Sequence, residues 1–101
     1  MSEAILSLGS NLGNRIFNVK EALESIKRIP ETNILKISNF YETEPFGVKT
    51  SQNKYINCCV KISTQLSPEI LMGCCLGIEA AMKRVREYKF SPRTIDIDIL
   101  A

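Results

Sequence analysis

Hydrophobic and polar positions divide the chain into alternating strand-like and helix-like segments. Apolar residues that run together or alternate with polar ones predict strands at 4–8, 34–42, 55–64 and 94–100. Apolar residues at helical spacing predict two helices, of which the first ends before Pro30. The second opens at Ser67-Pro68-Glu69, a capping residue followed by a proline and an early acid. The apolar stripes comprise Ile16, Val19, Leu23 and Ile26 in the first helix and Leu71, Cys74, Cys75, Ile78, Met82 and Val85 in the second.

The order of these elements, β-α-β-β-α-β, is typical of a ferredoxin-like α+β fold. In that fold an antiparallel sheet carries both helices on one face. We therefore expect the opposite face of the sheet to be open and able to carry a site.

Length and composition limit the class of protein. With 101 residues, 45% hydrophobic and 24% charged, the chain is predicted to form one domain over residues 1–101. No stretch approaches the roughly 20 apolar residues that span a bilayer, and Met1-Ser2-Glu3 does not open a signal peptide. We therefore expect a cytoplasmic protein with no membrane partner. The net charge of +2 is too small to indicate nucleic-acid binding.

The four cysteines stand in two adjacent pairs, Cys58-Cys59 and Cys74-Cys75. Neighbouring residues on a strand or a helix point in different directions, which is unlike the ligand spacing of a zinc site. A chain that can build an apolar core has no need of a disulfide scaffold. The pattern favours buried or inert thiols.

Two aspartates in the last predicted strand are the strongest candidates for chemistry. If residues 94–100 form a strand, Asp96 and Asp98 face outward while the intervening isoleucines face the core. The two aspartates are then roughly 6 to 7 Å apart at the backbone, close enough to converge on one or two cations. Magnesium is usually held by one or two carboxylates together with water and phosphates. The alternative is the solvated polar face of an edge strand.

A basic cluster leads into that strand. Cationic side chains neutralise phosphate oxygens in phosphoryl transfer, and the arginine fork binds such oxygens in pairs. The cluster therefore favours a phosphate ligand, although a solvated helix end explains the lysines as well. Its members are Lys83, Arg84, Arg86, Lys89 and Arg93.

Polar residues around the third predicted strand form another candidate. Tyr55 can stack on a flat heterocycle, and Asn57 can donate to and accept from its edge. The preceding loop, 43–54, is long for so small a domain. Near the start of the chain, the predicted turn Gly9-Ser10-Asn11 resembles a phosphate loop without its lysine. We interpret Gly9 as allowing close backbone approach to a ligand, with a plain tight turn as the alternative.

Together these segments resemble the 6-hydroxymethyl-7,8-dihydropterin pyrophosphokinases, a family of folate-pathway enzymes. The resemblance runs from about residue 4 to the last residue and is carried by motifs in the family's order. The motifs are Leu8-Gly9-Ser10-Asn11-Leu12-Gly13, Tyr41-Glu42-Thr43-Glu44-Pro45-Phe46-Gly47, Tyr55-Ile56-Asn57, Ile78-Glu79 with Arg84-Val85-Arg86, and Pro92-Arg93-Thr94-Ile95-Asp96-Ile97-Asp98.

The resemblance implies an enzyme that moves diphosphate from ATP, its co-substrate, to a pterin hydroxymethyl group and releases AMP. It implies that Asp96 and Asp98 hold two magnesium ions. It also implies Arg84, Arg86 and Arg93 as catalytic residues that neutralise the phosphates. The other implied site residues are Gly9, Thr43, Glu44, Pro45, Phe46, Tyr55 and Asn57 for the pterin, and Glu79, Arg84, Arg93 and Ile99 for the nucleotide.

The chain also departs from the family's pattern. Lys83 replaces a glycine, Phe90 stands where tryptophan is common, and a histidine-containing motif has no counterpart because the sequence has no histidine. We expect residues 1–101 to correspond to the N-terminal two-thirds of the family's domain, without its C-terminal part. The full-length enzyme is expected to be monomeric or weakly dimeric, and the shorter chain to self-associate. The alternatives are a non-catalytic domain that binds magnesium nucleotide or pterin, and a domain with only a structural role.

Overall fold

A five-stranded sheet and two helices form the part of the chain that the computed structural model describes, residues 2–44, 53–82 and 94–100. The predicted order of strands and helices is confirmed, with one predicted strand divided in two. In chain order the elements are β1 (Ser2–Ser10), α1 (Arg15–Lys27), β2 (Thr32–Ile37), β3 (Tyr41–Thr43), β4 (Tyr55–Thr64), α2 (Pro68–Ala81) and β5 (Asp96–Ile99).

The paired strands of the sheet are antiparallel. β4 and β1 form its centre, β2 lies on the outer side of β4, and β5 lies on the outer side of β1. β3 continues along the same edge of β4 as β2. Apolar residues of both helices join one cluster with one face of the strands. The ferredoxin-like α+β arrangement expected from the sequence is therefore confirmed.

The core lies between the helices and the sheet and follows the period of two in the strands. The even-numbered residues of β4 from Ile56 to Ile62 are at most 7% exposed. They pack with Leu8 of β1, with Val19 of α1 and with residues of α2, so that one side of each central strand is buried. This burial leaves the odd-numbered residues of β1 and β4 on the other face.

Each helix begins at a side-chain cap. Asn14 Oδ1 accepts a hydrogen bond from the backbone N of Phe17 at 3.1 Å, and Ser67 Oγ accepts one from Ile70 N at 3.3 Å. The stripe predicted for α1 is partly wrong, because Ile16 is 49% exposed. Within the described ranges, neither helix is both long enough and apolar enough to cross a membrane.

The strand predicted at 34–42 is two strands, and its register on β4 slips twice. Between Ile34 and Lys36 one extra residue stands in the chain relative to β4. Between Ile37 and Tyr41 four steps along this chain again correspond to only three along β4. The first slip lies within β2 and the second separates β2 from β3. An extra residue bends a strand and interrupts its ladder.

Ser38 bridges the second of these interruptions. Its backbone N donates to Cys59 O at 2.9 Å, and its Oγ accepts from Cys59 N at 2.8 Å. The side-chain oxygen thus takes the place of a backbone acceptor, and β4 keeps its hydrogen bonds across the gap between β2 and β3.

β1 is longer than predicted, because it continues through Gly9 to Ser10. Gly9 is opposite Asn57 of β4 on one side and Asp96 of β5 on the other. The interpretation of Gly9-Ser10-Asn11 as a turn is therefore wrong for its first two residues. Glycine and serine are poor strand formers, but pairing with neighbours overrides that local preference.

Candidate functional site

The open face of the sheet brings together residues from strands that are far apart in sequence. Directly opposed residues of antiparallel strands point to the same face. Gly9 is opposite both Asn57 and Asp96, and Asn57 is also opposite Tyr41. These four positions form a row across the sheet from β3 to β5, and three of them, Gly9, Asn57 and Asp96, are predicted site residues.

The rows on either side complete this face. Thr43 is opposite Tyr55 on one side. On the other side Ser7 is opposite both Cys59 and Asp98. Because β1 separates β4 from β5 and strands lie about 4.8 Å apart, the tyrosine–asparagine pair and the aspartate pair are roughly 10 Å apart at the backbone. This is one surface with an aromatic-amide part and an acidic part.

Gly9 leaves room for two of these side chains. A Cβ atom at this position would lie 3.0 Å from Asn57 Oδ1 and 3.2 Å from Tyr55 Cδ1. The Tyr55 ring and the Asn57 amide therefore lean over β1 at the place where that strand has no side chain. The space beside Gly9 is thus bordered by side chains of β4, and the expected approach of a ligand to this backbone stays a prediction.

The amide of Asn57 is held by β3. Its Nδ2 donates to Thr43 Oγ1 at 2.8 Å and to Tyr41 O at 3.3 Å. These bonds direct Oδ1 towards Gly9, where it can accept a hydrogen bond from a ligand's N–H group. Tyr55 is half-buried beside it, with its ring against the strand. A flat heterocycle with both donors and acceptors suits this pair.

Arg15 ties the start of α1 to both ends of the predicted loop, a contact that sequence reasoning missed. Its guanidinium donates to Lys54 O at 2.7 Å and to Glu42 Oε2 at 3.3 Å. Asn11 Nδ2 donates nearby to Asn53 O at 3.5 Å. The signal in the sequence was a cation in the first turn of a helix, where the helix dipole disfavours positive charge.

Asp96 and Asp98 lie on the open face of β5, as predicted. Asp96 is half-buried and Asp98 is exposed. Within residues 2–44, 53–82 and 94–100, no three acidic, cysteine or histidine side chains come together as a metal site. A pair of carboxylates with solvent access is the donor set that suits magnesium, which completes its shell with water and phosphate oxygens.

Glu79 lies on the opposite, buried side of the sheet. It is 4% exposed, and its Oε2 accepts a hydrogen bond from Ile97 N at 2.8 Å. Leu71, Cys75 and Glu79 form the buried side of α2. The sequence signal was a single acid at that four-residue spacing within an otherwise uncharged stretch. Ile99, also named for the nucleotide, is half-buried on the same side of β5.

Several residues named from the sequence lie outside the described residues. Glu44 is described and exposed, with its Oε1 3.5 Å from Lys54 Nζ. The members outside the described ranges are Pro45, Phe46, Gly47, Lys83, Arg84, Val85, Arg86, Lys89, Phe90, Pro92 and Arg93.

The cysteines are free thiols, as predicted, and divide into buried and half-buried members. Burial raises the pKa of Cys58, and it raises the pKa of Cys75 to about 11. Cys59 lies on the open face, where its sulfur is 3.5 Å from Tyr41 Oη, and this hydrogen bond raises the pKa of Tyr41. The buried thiols are therefore protonated and unreactive at neutral pH.

Comparison with known proteins gives a consistent result over nearly the whole chain. The family model described as 7,8-dihydro-6-hydroxymethylpterin-pyrophosphokinase matches residues 5–101.

Individual relatives are similar over the same range. The chain is 43% identical over 101 residues to the 2-amino-4-hydroxy-6-hydroxymethyldihydropteridine pyrophosphokinase of Methylorubrum extorquens, which covers 100% of this chain and 63% of that protein. It is 36% identical over 97 residues to the Bacillus subtilis protein of the same name, covering 96% and 58%. With the bifunctional protein FolKE of Lactococcus lactis subsp. cremoris the identity is 38% over 100 residues, covering 99% and 28%. The chain thus spans less than two thirds of the length of each of these relatives.

Proposed function

The chain belongs to the 7,8-dihydro-6-hydroxymethylpterin-pyrophosphokinase family, and on that premise we propose that the protein transfers diphosphate from ATP to the hydroxymethyl group of 6-hydroxymethyl-7,8-dihydropterin. One observation carries the proposal beyond the family match. The Tyr55–Asn57 pair and the Asp96–Asp98 pair occupy one open face, with the glycine of β1 between them. A single domain, residues 1–101, supplies both pairs.

The pterin is proposed to bind on the β4 side of Gly9. Tyr55 stacks on the ring, and Asn57 Oδ1 accepts from the ring's N–H groups, supported by the bond that holds its Nδ2 on Thr43. Arg15 maintains the spacing between the strand ends that flank this place, through Glu42 and Lys54 O. Glu44, Pro45 and Phe46 are proposed to complete the pterin side.

The triphosphate is proposed to bind on the β5 side. Asp96 and Asp98 hold two magnesium ions, which when bound neutralise charge on the phosphate oxygens. Arg84, Arg86 and Arg93 are proposed to neutralise the remaining phosphate charge, because the arginine fork matches phosphate geometry. Glu79 and Ile99 are proposed to belong to the nucleotide side, because Glu79 bonds to the backbone of the strand that carries the aspartates and Ile99 is the last residue of that strand.

The proposed reaction joins the two sides of the open face. A bond forms between the pterin hydroxymethyl oxygen and the β-phosphorus of ATP, and the bond from that phosphorus to the α,β-bridging oxygen breaks. AMP leaves with the bridging oxygen, and the hydroxyl proton is released. Transfer of this kind depends mainly on alignment and on electrostatic stabilisation. Aromatic and acidic groups held on one rigid sheet provide that alignment.

The carboxylate pair gives the decisive test, with AMP release from ATP and the pterin as the measurement. The double variant Asp96→Ala and Asp98→Ala is expected to lose at least about a hundredfold in rate, because removal of metal-holding groups has effects of that size or more. Its free energy of unfolding is expected to change by less than about 0.5 kcal/mol, since the side chains lie outside the core.

A matched control is available on the same face. Glu3 is an exposed acid of β1 paired with Lys61 Nζ at 3.1 Å, far along the strand from the aspartates. Glu3→Ala should leave AMP release unchanged. Near-normal turnover by the double variant would refute the metal assignment. Nucleotide binding by the unmodified protein without AMP release would favour the non-catalytic alternative.

A further inference from the structure

The hydrogen bond between Glu79 and β5 crosses from the helix layer to the sheet at the candidate metal site. Glu79 Oε2 accepts from the backbone N of Ile97 at 2.8 Å, and the glutamate is 4% exposed. Ile97 stands between Asp96 and Asp98, the two proposed metal ligands. A buried carboxylate is therefore attached to the backbone midway between these two aspartates.

The direction of this bond follows from the ladder between β1 and β5. Leu100 N donates to Ile5 O at 2.8 Å, in register with the opposed pair Leu8 and Ile97. Alternate residues of an antiparallel strand direct their N–H groups to opposite edges. The Ile97 N–H therefore points away from β1, to the edge where β5 has no second neighbour among the described strands.

β5 has little to hold it in the sheet besides this attachment. It contains four residues and, among the described strands, it pairs only with β1. A short strand held on one side can shift or fray, and any displacement moves both aspartates together. A hydrogen-bond acceptor on the outer edge opposes such displacement.

We propose that Glu79 is a positioning residue for the Asp96–Asp98 pair, holding β5 in place through the Ile97 N–H. This inference rests on the proposed function, in which the pair binds magnesium and the triphosphate. Glu79 acts on the nucleotide side through the strand, since its carboxylate is engaged below the sheet and has little exposed surface. Side chains that orient metal ligands in this way typically change metal affinity about 10- to 100-fold when they are lost.

Two substitutions separate the effect of the length of the side chain from the effect of its charge. Glu79→Gln keeps an acceptor oxygen at the same distance but loses the charge, whereas Glu79→Asp keeps the charge on a side chain one methylene shorter. If Glu79 positions β5, Glu79→Asp should expose the Ile97 amide to hydrogen exchange at least about tenfold faster, while Glu79→Gln should protect it nearly as well as glutamate. Exchange at individual amides is measured by NMR.

Metal binding provides the second measurement. Magnesium affinity in the presence of a non-hydrolysable ATP analogue should fall about 10- to 100-fold in Glu79→Asp and only a few-fold in Glu79→Gln. Pterin affinity should change little in either variant, because Tyr55 and Asn57 stand on β4. Glu69→Gln, which alters an exposed acid at the opposite end of the same helix, is the control.

The outcomes discriminate between explanations. A larger loss of magnesium affinity in Glu79→Gln than in Glu79→Asp would overturn the proposal, because the charge of the side chain would then matter more than its length. Equal acceleration of exchange at Ile97 and at core amides of β4 would also overturn it, since the effect would be global stability. If the double variant Asp96→Ala and Asp98→Ala still binds magnesium normally, the proposed function fails. Hydrogen exchange at the Ile97 amide then still reports whether Glu79 holds β5 in place.

Discussion

The two faces of β4 differ in what they contribute to the molecule. On the helix side, Cys58, Val60 and Ile62 are each 0% exposed. On the open side, the intervening positions carry a tyrosine, an asparagine, a cysteine and a lysine, none of them fully buried. One strand thus supplies packing with one set of residues and candidate chemistry with the other. Substitutions on the two faces should therefore separate stability from activity.

The largest expected change in the free energy of unfolding comes from the buried, helix-side face of β4. Ile62→Ala should lower the free energy of unfolding by about 2–5 kcal/mol, because it removes fully buried methyl groups and leaves a cavity. Its neighbour Lys61 faces the open side and pairs with Glu3 at 3.1 Å. Lys61→Ala should cost no more than about 1 kcal/mol, the range of exposed ion pairs. Urea denaturation measures both, and equal losses would contradict the difference between the faces.

A second expectation concerns protons on the helix side. Burial raises the pKa of Cys75 from 9.0 to about 11. The folded state then holds the thiol proton more tightly than the unfolded state does, so this stabilisation is complete below pH 9 and is lost as the pH rises to 11. The loss attributable to Cys75 should be about 2 kcal/mol.

Comparing variants isolates this contribution from lysines and tyrosines that titrate in the same range. Cys75→Ala should have a shallower decline of unfolding free energy between pH 9 and 11, while Cys74→Ala, at the half-buried neighbour, should decline as the unmodified protein does. Parallel curves of unfolding free energy against pH for all three proteins would mean that burial does not raise the pKa of Cys75.

The smallest expected effect lies on the open face at Gly9. An added Cβ would stand 3.0 Å from Asn57 Oδ1 and 3.2 Å from Tyr55 Cδ1, so both side chains must move. Gly9→Ala should weaken pterin binding about tenfold, equivalent to about 1.4 kcal/mol, and change stability by less than about 1 kcal/mol. Fluorescence titration with the pterin measures the affinity. Unchanged affinity would place the pterin away from this pair.

Part of the fold could be predicted because β4 alternates between apolar and polar residues and α2 begins with a capping signal. The period of two in β4 and the capping signal at Ser67 each depend on local sequence, and the structure contains both. The apolar side of α1 was predicted only in part, because spacing alone does not decide which part of a wide apolar arc meets the sheet. Ile16 was assigned to the core and is 49% exposed, whereas Ala22 is fully buried.

The candidate site was predictable in its residue types more than in its contacts. Alternation alone predicted that Asp96 and Asp98 face away from the core, without knowledge of strand pairing. Gly9 was assigned to a turn, since its place in a strand depends on neighbours more than 40 positions away. The bonds of Glu79 to β5 and of Arg15 to the loop ends are likewise long-range contacts, which no local pattern encodes.

The two register slips before β3 have a consequence for how this protein can change in length. One extra residue would turn every following side chain of that strand to the opposite face. Two extra residues restore the original face, but they shift the strand by two residues relative to β4. Tyr41 is therefore opposite Asn57, and Thr43 is opposite Tyr55. Deletion of one residue between Ile34 and Tyr41 would therefore turn Thr43 to the helix side of the sheet and put a neighbouring residue in its place. The hydrogen bond from the Asn57 amide to Thr43 would then be lost. In this segment, an insertion or deletion of one residue acts on the site as several substitutions at once.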